Sequence, residues 1–273
     1  MTHVILGLLL AHIISDFYCQ TDESCKKKRE WHCCEWIIHG GCVFGLSFLA
    51  ILAPHHWVGA LVAALIVTTL HLLIDVIKVK YEISRQGEER GSIWPFVIDQ
   101  VLHLIVIFVT TVILFNVLQD YHCWMEIIDT GILLIILVFL AVAKPANTFI
   151  RICLKSAKIN IGDEPANDDT DEAATDDTDE AATDDTFHSG RIIGTCERFL
   201  MLIFVILAQY EAIGFLVAAK SILRFSSTKE SEKSEYVLAG TLLSIAVAIV
   251  LGLIVVYRTA IGYIVNTLLP VIS

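Results

Sequence analysis

Long apolar runs are the feature that most constrains the fold of this chain. Several runs of about 18 to 23 apolar residues follow one another, and about 20 such residues cross the hydrocarbon core of a bilayer as one helix. Hydrophobic residues make up 56% of the chain, and the mean hydropathy is +0.69. The sequence therefore predicts an all-α fold, a polytopic transmembrane helical bundle, rather than a soluble domain.

The runs predict about seven or eight membrane helices. The first run has no basic residues before it and no small-residue cleavage site after it, so we expect a membrane helix here rather than a secretory signal peptide. The candidate spans are His3 to Gln20, Trp36 to Ala53, Val58 to Lys78, Phe96 to Leu118, Gly131 to Ile150, Ile192 to Gln209, Ala212 to Phe225 and Tyr236 to Tyr257, with a further apolar piece from Ala260.

One helix-like stretch, from Gly190 to Phe225, is too long for a single crossing. At 1.5 Å per residue its roughly 36 residues would span about 54 Å, against a hydrocarbon core of about 30 Å. A break between Gln209 and Gly214 would return Lys220 to the side from which the stretch begins. We therefore predict a short helical hairpin.

Lysine and arginine are distributed unevenly among the loops. The loops after the first, third and fifth helices are basic, whereas the loops at 54–57 and 119–129 have no Lys or Arg. Because cytoplasmic loops are enriched in these residues, we expect the basic loops to be cytoplasmic and the N-terminus to lie outside. The expected location is a bacterial cytoplasmic (inner) membrane.

An acidic repeat separates two predicted membrane regions. Residues 168–175 and 176–183 have the same sequence, and 12 of the 30 acidic residues lie between Asp163 and Asp185, without any Lys or Arg. Such a tract repels itself and buries little apolar surface, so we predict a disordered cytoplasmic loop at 159–189. Cation chelation is the alternative, but no glycine turn fixes the ligands as in a calcium loop. The predicted domains are then a five-helix region at 1–158 and a group of helices at 190–273, packed together as one bundle.

The eight cysteines do not predict a zinc site. Five of them lie between Cys19 and Cys42, but no two have the Cys-x-x-Cys spacing. Free thiols facing a reducing compartment are the expectation.

Ionisable residues recur at four-residue spacing within the apolar runs, which places each set on one helix face. In the predicted topology every set lies at the cytoplasmic end of its helix. Because an ionisable side chain in lipid is costly without a partner, we expect the faces to meet in one cavity. The sets are His12, Asp16 and Gln20; Glu35 and His39; His71 and Asp75; Asp99 and His103.

Imidazoles and carboxylates together suit a divalent metal such as Zn, Mn, Fe or Ni, and an open coordination position can activate water. The predicted ligands are Asp16, His39, His71, Asp75, Asp99 and His103, of which Asp16, Asp75 and Asp99 are also predicted to act in catalysis. His12 lies one turn deeper than Asp16 and is a weaker candidate. For a single pair, an interhelical hydrogen bond or a snorkelling side chain is the alternative. Contacts to an anionic substrate are predicted for Gln20, Lys78, Glu197, Arg198, Lys220 and Arg224.

Several motifs resemble a known family. They are Leu-Ala-His12-Ile-Ile-Ser-Asp16-Phe-Tyr-Cys-Gln20, His39, His71-x-x-x-Asp75-x-x-Lys78, Asp99-Gln-x-x-His103, Gly190-Arg-Ile-Ile-Gly194-x-x-Glu197-Arg198, Gln209-Tyr-Glu-Ala-Ile-Gly214 and Ala219-Lys220-Ser221-x-x-Arg224-Phe225. They resemble the bacterial and phage membrane family called domain of unknown function 3307, over nearly the whole chain except the acidic insert. Ser15 stands where this family more usually has Gly. The family implies no settled activity, but its pattern is distantly similar to membrane-bound metal-dependent hydrolases, which implies hydrolysis without naming a substrate.

Two classes of function remain open. The first is a metal-dependent hydrolase of a phosphoester or lipid-like substrate at the cytoplasmic leaflet, with membrane lipid as a partner and no nucleic acid. The second is an ion- or proton-coupled transporter, a channel or an accessory membrane subunit, in which the same residues bind ions or relay protons. Transport predicts polar residues at mid-membrane or in both leaflets, so the apolar outer halves of these helices favour the first class.

Overall fold

The structure, a computed structural model, describes residues 1–84, 92–118, 120–157, 181–225 and 231–258, with the backbone alone at 22, 181–191, 223–225 and 231–237. Every regular element in these ranges is helical, which confirms the all-α class. The α-helices are α1 (Thr2–Ile13), α2 (Asp22–Arg29), α3 (Cys33–Ile51), α4 (Trp57–Ser84), α5 (Trp94–Val117), α6 (Thr130–Val142), α7 (Lys144–Ser156), α8 (Ala181–Ile206), α9 (Tyr210–Phe225) and α10 (Ser231–Val256).

Five helical segments within the described ranges are long and apolar enough to cross a membrane, and a bent pair makes a sixth when it is counted as one span. The predicted number of seven or eight is not confirmed. One reason is that α9 has 16 residues, fewer than the roughly 20 that a crossing needs. The apolar piece predicted from Ala260 lies outside the described residues. The five segments are Cys33–Ile51, Trp57–Ser84, Trp94–Val117, Thr130–Ser156 and Leu238–Val256, and the bent pair is Thr2–Tyr18 with Glu23–Arg29.

The chain divides into two compact units, Met1–Pro145 and Ala146–Ser273. In the first unit, α1 packs against α3, α5 and α6, α3 packs against α4, and α4 packs against α5. Small residues allow this close packing: a Cβ added to Gly7 of α1 would lie 3.3 Å from Ala50 Cβ of α3 and 2.8 Å from Met125 Sδ. Because lipid offers no hydrophobic drive between helices, such close contacts hold the helices together. They bring α1, α3, α4 and α5 near enough for short polar side chains to meet.

In the second unit, α8 packs against α10 and is followed by α9. The helices α8 and α9 are separated at Leu207–Gln209, where Ala208 has a φ of 55°. Glu197 of α8 and Lys220 of α9 form an ion pair at similar distances in sequence from this break, as an antiparallel pair requires. The predicted helical hairpin is therefore present, and its break lies slightly ahead of the predicted position.

Most of the predicted acidic loop lies outside the described residues. The helix α8 begins at Ala181, however, so the end of the range 159–189 has a helical backbone. Each residue added to an existing helix gains one backbone hydrogen bond, which lets α8 extend ahead of the part that packs on α10. The predicted packing of the two membrane regions as one bundle stays a prediction.

Candidate metal centre

Seven ionisable side chains from four helices meet in the interior of the first unit. None of these side chains is more than 12% exposed. The spacing of four residues puts the members from each helix on one face, as predicted. The helix α1 contributes His12 and the π-helical turn that continues it contributes Asp16, α3 contributes His39, α4 contributes His71 and Asp75, and α5 contributes Asp99 and His103.

A first ligand set consists of His39 Nε2, His71 Nε2, Asp16 Oδ1 and Asp75 Oδ2. The two imidazole nitrogens are 3.0 Å apart. Asp16 Oδ1 lies 3.1 Å from His71 Nε2 and 3.8 Å from His39 Nε2. Asp75 Oδ2 lies 3.2 Å from His39 Nε2 and 3.9 Å from His71 Nε2. Each of the two carboxylate oxygens therefore lies within 3.9 Å of both imidazole nitrogens.

A second ligand set consists of His12 Nδ1, His103 Nε2, Asp16 Oδ2 and Asp75 Oδ1. His12 Nδ1 lies 3.6 Å from Asp16 Oδ2, and His103 Nε2 lies 3.9 Å from Asp75 Oδ1. Both of these nitrogens are buried and have no hydrogen-bond partner within the described structure. His12, Asp16 and His103 can each offer a ligand atom within 4.8 Å of the others. The structure therefore places His12, the weaker sequence candidate, inside the cluster.

The path of the chain after α1 positions Asp16. The α-helix passes into a π-helical turn at Ile14–Tyr18. The buried Ser15 Oγ donates to His12 O at 3.0 Å and to Asp16 Oδ1 at 3.2 Å. Single π-helical turns inserted in α-helices are frequent at functional sites, because they rotate the side chains that follow them. The turn and the Ser15 hydroxyl together hold the Asp16 carboxylate toward the other helices.

Asp99, a predicted ligand, lies beside the two ligand sets and belongs to none of the possible metal-binding groups found among the described residues. Its Oδ2 accepts from Lys78 Nζ at 2.8 Å and from Gln100 Nε2 at 3.0 Å. Its backbone carbonyl accepts from His103 Nδ1 at 2.8 Å. Gln100 Oε1 in turn lies 3.3 Å from His12 Nε2. Asp99 therefore orients His103 directly and His12 through Gln100.

Gln20, predicted to contact a substrate, contacts one of the imidazoles. Its amide nitrogen lies 2.8 Å from His39 Nδ1 and 3.1 Å from His39 Nε2. This contact helps to fix the orientation of the His39 ring, and the predicted contact with a substrate stays a prediction.

Sequence reasoning missed Lys28 and assigned it to a basic loop. The chain turns by 89° from the first helix into α2, which carries Lys28 Nζ to 3.2 Å from Asp75 Oδ2. Lys28 is 4% exposed, and its ammonium lies 5.1 Å from the centre of the Trp36 ring. In the sequence Lys28 cannot be told apart from Lys26 and Lys27, because only the tertiary position of α2 selects one of the three.

A small cavity adjoins the cluster. Its volume is about 10 Å³, close to the room that one water molecule needs. Three imidazoles line one part of it, and the rest of its wall is mainly apolar. The lining residues include His12, His71, His103, Ser47, Val67 and Ile107. A water at this position would have ring nitrogens as polar neighbours.

Four of the predicted substrate contacts, namely Glu197, Arg198, Lys220 and Arg224, belong to the second unit. Arg198 is 3% exposed and donates to Ser244 Oγ at 3.0 Å, to Thr195 Oγ1 at 3.1 Å and to Asn147 Oδ1. Glu197 and Lys220 pair with each other. The side chain of Arg224 lies outside the described residues. Within the second unit Arg198 therefore ties α7, α8 and α10 together.

The eight cysteines are free thiols, so no disulfide constrains either unit. The apolar helices and the buried cluster of His and Asp are compatible with a membrane protein that has a polar metal-binding site.

Comparison with known proteins gives a family for the first unit. Residues 4–131 match the family model described as "Protein of unknown function (DUF3307)", a range that holds every member of the cluster. The chain has no significant match among curated proteins. It has none among solved structures either. The predicted bacterial or phage source, the likeness to hydrolases and the resemblance of residues 190–225 stay predictions. Residues 4–131, which form most of the first unit, are thus similar to the DUF3307 family.

Proposed function

We propose that this chain is an integral membrane protein that binds a divalent metal in its buried His and Asp cluster and hydrolyses a phosphoester or lipid-like substrate there. The observation that carries the proposal is the first ligand set, in which two imidazole nitrogens and two carboxylate oxygens converge. For a tetrahedral metal with bonds of about 2.05 Å, neighbouring ligand atoms lie about 3.3 Å apart. The distances of 3.0 to 3.9 Å in the set are near that value.

Protons alone satisfy the first ligand set poorly. If His39 Nε2 and His71 Nε2 both carry hydrogen toward the carboxylates, two N–H donors stand 3.0 Å apart. If one nitrogen gives up its hydrogen to accept from the other, the carboxylate oxygen beside it loses that donor and keeps only its contact with Ser15, for Asp16, or with Lys28, for Asp75. A nitrogen lone pair then faces a carboxylate oxygen in the buried interior, which costs free energy. A metal cation would accept electron pairs from all four atoms and remove the conflict, provided that Gln20 turns its amide oxygen rather than its nitrogen toward His39 Nδ1, so that His39 Nε2 carries the lone pair.

The ligand types suit Zn, Mn, Fe or Ni. Such a metal supplies Lewis acidity and lowers the pKa of a water molecule that it binds. Hydrolysis of a phosphoester then joins the water oxygen to phosphorus, breaks the bond from phosphorus to the alcohol oxygen, and transfers a water proton to the departing alcohol. Asp16 and Asp75 are the carboxylates that would hold the metal and relay the proton from the water to the departing alcohol. Asp99, by contrast, is placed to orient His103.

The substrate and the orientation in the membrane belong to the same proposal. Lys28 and Lys78 are cations at the edge of the cluster and are suited to attract an anionic group. Arg198, Lys220 and Arg224 would contribute only if the second unit faces the cluster. The distribution of basic loops supports a cytoplasmic-leaflet site in a bacterial inner membrane, with the N-terminus outside and membrane lipid as the neighbour.

A transporter or an ion-conducting subunit is the alternative. The observation that favours it is the set of buried pairs Lys28–Asp75 and Lys78–Asp99, because such pairs inside membrane helices also serve proton relays. This alternative predicts a cluster without metal and an ion flux that depends on Asp75.

Metal analysis of the purified protein in detergent tests the proposal. We expect stoichiometric Zn, Mn, Fe or Ni in the wild-type chain and a large loss in His71→Ala. His55→Ala is the matched control, since His55 is exposed and distant in sequence from the cluster, and should keep its metal. Activity is then measured on phosphomonoester, phosphodiester and phospholipid substrates before and after chelation. A wild-type protein that neither contains nor takes up metal would sink the proposal, and proton flux in liposomes would then support the transporter.

A further inference from the structure

We propose that the centre binds two metal ions, bridged by the carboxylates of Asp16 and Asp75. The first ion takes the first ligand set, and the second ion takes His12 Nδ1, His103 Nε2, Asp16 Oδ2 and Asp75 Oδ1. This inference rests on the proposed function because it presupposes a metal centre, but it adds a second site with its own ligands.

Each bridging carboxylate already presents one oxygen to each ligand set. Asp16 directs Oδ1 toward His71 and Oδ2 toward His12, at 3.1 Å and 3.6 Å. Asp75 directs Oδ2 toward His39 and Oδ1 toward His103, at 3.2 Å and 3.9 Å. A carboxylate that only accepted hydrogen bonds from one imidazole would not need both oxygens to face imidazoles of different helices. The division of both carboxylates between the same two sets is the geometry of a bridged pair of metals.

The hydrogen bonds around the second set leave lone pairs on both of its nitrogens. His103 Nδ1 lies 2.8 Å from the carbonyl of Asp99, which can only accept, so Nδ1 carries the hydrogen and Nε2 carries the lone pair. Gln100 donates its amide nitrogen to Asp99 and therefore turns Oε1 toward His12 Nε2. His12 Nε2 must then donate, which leaves the lone pair on Nδ1. A neutral imidazole cannot hold hydrogen on both nitrogens.

The second set therefore brings together electron pairs without a proton between them. The lone pair of His12 Nδ1 faces the Asp16 carboxylate, and that of His103 Nε2 faces the Asp75 carboxylate. Both nitrogens are buried and lack a hydrogen-bond partner among the described residues. Lone pairs that face carboxylate oxygens in a low-dielectric interior repel one another unless a cation lies between them. Lys28 reaches Asp75 Oδ2, which belongs to the first set, so its ammonium is not that cation.

A pair of metals favours a phosphoester as the substrate. Two ions about 3.5 to 4 Å apart stabilise the attacking and the leaving oxygens of an in-line displacement at phosphorus. Oxygens of one carboxylate can span such a pair, which is the arrangement that Asp16 and Asp75 offer. Phosphate esters of lipids and of soluble alcohols share this chemistry, and assays with vesicles and with soluble esters separate the two sources.

Manganese titration tests the inference on the full chain in detergent after its metals have been removed. We expect two Mn²⁺ per wild-type chain and an electron paramagnetic resonance spectrum with exchange coupling between the ions. His12→Ala should bind one Mn²⁺ per chain and lose the coupling, and His39→Ala should also bind one. His55→Ala should behave as wild type.

The outcomes separate this inference from the proposed function. One Mn²⁺ per wild-type chain, without coupling and unchanged by His12→Ala, would overturn the pair of metals and leave a single-metal centre. No bound Mn²⁺ or Zn²⁺ would defeat both. The wild-type spectrum needs no variant, so the test holds even if a substitution prevents folding.

Discussion

The ammonium group of Lys28 would compete with the first metal ion for one of its ligand atoms. Its ammonium contacts Asp75 Oδ2, an oxygen of the first ligand set, at 3.2 Å. A metal ion that takes this oxygen must displace the ammonium and, with it, part of α2. We therefore expect Lys28→Met to destabilise the metal-free protein and to raise its affinity for the first metal ion.

The size of both effects follows from the burial of the pair. Removal of one partner from a buried ion pair costs about 3 to 5 kcal/mol, because the other charge is left uncompensated. Lys28 and Asp75 are 5% and 12% exposed, and His39 offsets part of the loss by facing the same oxygen, so the lower value of about 3 kcal/mol applies. Metal binding removes this cost, so linkage adds the same free energy to the binding of the metal. About 3 kcal/mol corresponds to about a hundredfold gain in affinity.

Thermal unfolding and Mn²⁺ titration of the metal-stripped protein measure the two effects. Lys28→Met should unfold at a lower temperature than wild type without metal, and the difference should shrink when metal is added. Lys27→Met is the matched control on the same helix, since Lys27 pairs with Glu23 at the surface. It should change neither quantity appreciably. Equal or weaker metal binding by Lys28→Met would refute the reasoning and would mean that Lys28 supports the loaded centre.

Three other changes test the surroundings of the centre. Asp99→Asn should lower metal affinity about 10- to 100-fold in the same titration although Asp99 lies in neither ligand set, because its carboxylate holds Lys78 and Gln100, and Gln100 orients His12; unchanged affinity would contradict this. Deletion of 163–185, which removes most of the acidic segment and the first five residues of α8, should leave thermal unfolding and metal content unchanged, because loop length costs little free energy and α8 can begin later; loss of the folded protein would show a structural role. A cysteine at position 230, in a variant without the native cysteines, should react with an impermeant reagent only after permeabilisation; labelling of intact cells would reverse the proposed topology.

We could predict that the polar helix faces meet, because the alternative for a polar face on a membrane helix is exposure to lipid. His71 and Asp75 lie on one face of a helix that is otherwise almost entirely apolar. Exposure of that face to lipid would cost about 2.5 kcal/mol or more for each ionised group. The same argument applies to each helix separately, and the shared depth followed from the loop charges. Spacing and charge were sufficient to bring the right helices together.

The different contacts that the carboxylates make inside the cluster could not be predicted from the spacing of residues in the sequence. Asp75 and Asp99 each lie four residues from a histidine in the sequence. Even so, Asp75 faces imidazoles of three helices, whereas Asp99 is turned toward Lys78 and Gln100. Which way a carboxylate turns depends on the side chains of other helices. Gln100 was part of the recognised motif, but its contact with His12 joins α5 to α1 and depends on how these two helices pack.

The position of α2 could not be predicted from the sequence for a related reason. A run of basic residues after a membrane helix is the usual signal for a cytoplasmic loop. Here the run forms a helix that Thr21 caps by accepting from Ser24 N at 3.1 Å, and Ser24 Oγ donates to Glu35 at 2.7 Å. These contacts, with the ion pair of Arg29 and Glu82, hold α2 against α3 and α4. Each contact joins residues whose pairing only the tertiary fold determines.

The net charge of the cluster depends on the number of bound metal ions and on the position of Lys28, and it favours one type of substrate over another. With neutral imidazoles, the carboxylates of Asp16, Asp75 and Asp99 face the ammonium groups of Lys28 and Lys78, which leaves one negative charge in excess. One divalent ion would leave a single positive charge in excess, and two would leave three. Burial of such an excess is costly in a low-dielectric interior unless anions offset it or a cation withdraws. Withdrawal of Lys28 removes one positive charge and moves α2 away from Asp75, and an anionic phosphoester offsets the others. A centre with two metals would therefore bind an anionic phosphoester much better than a neutral ester.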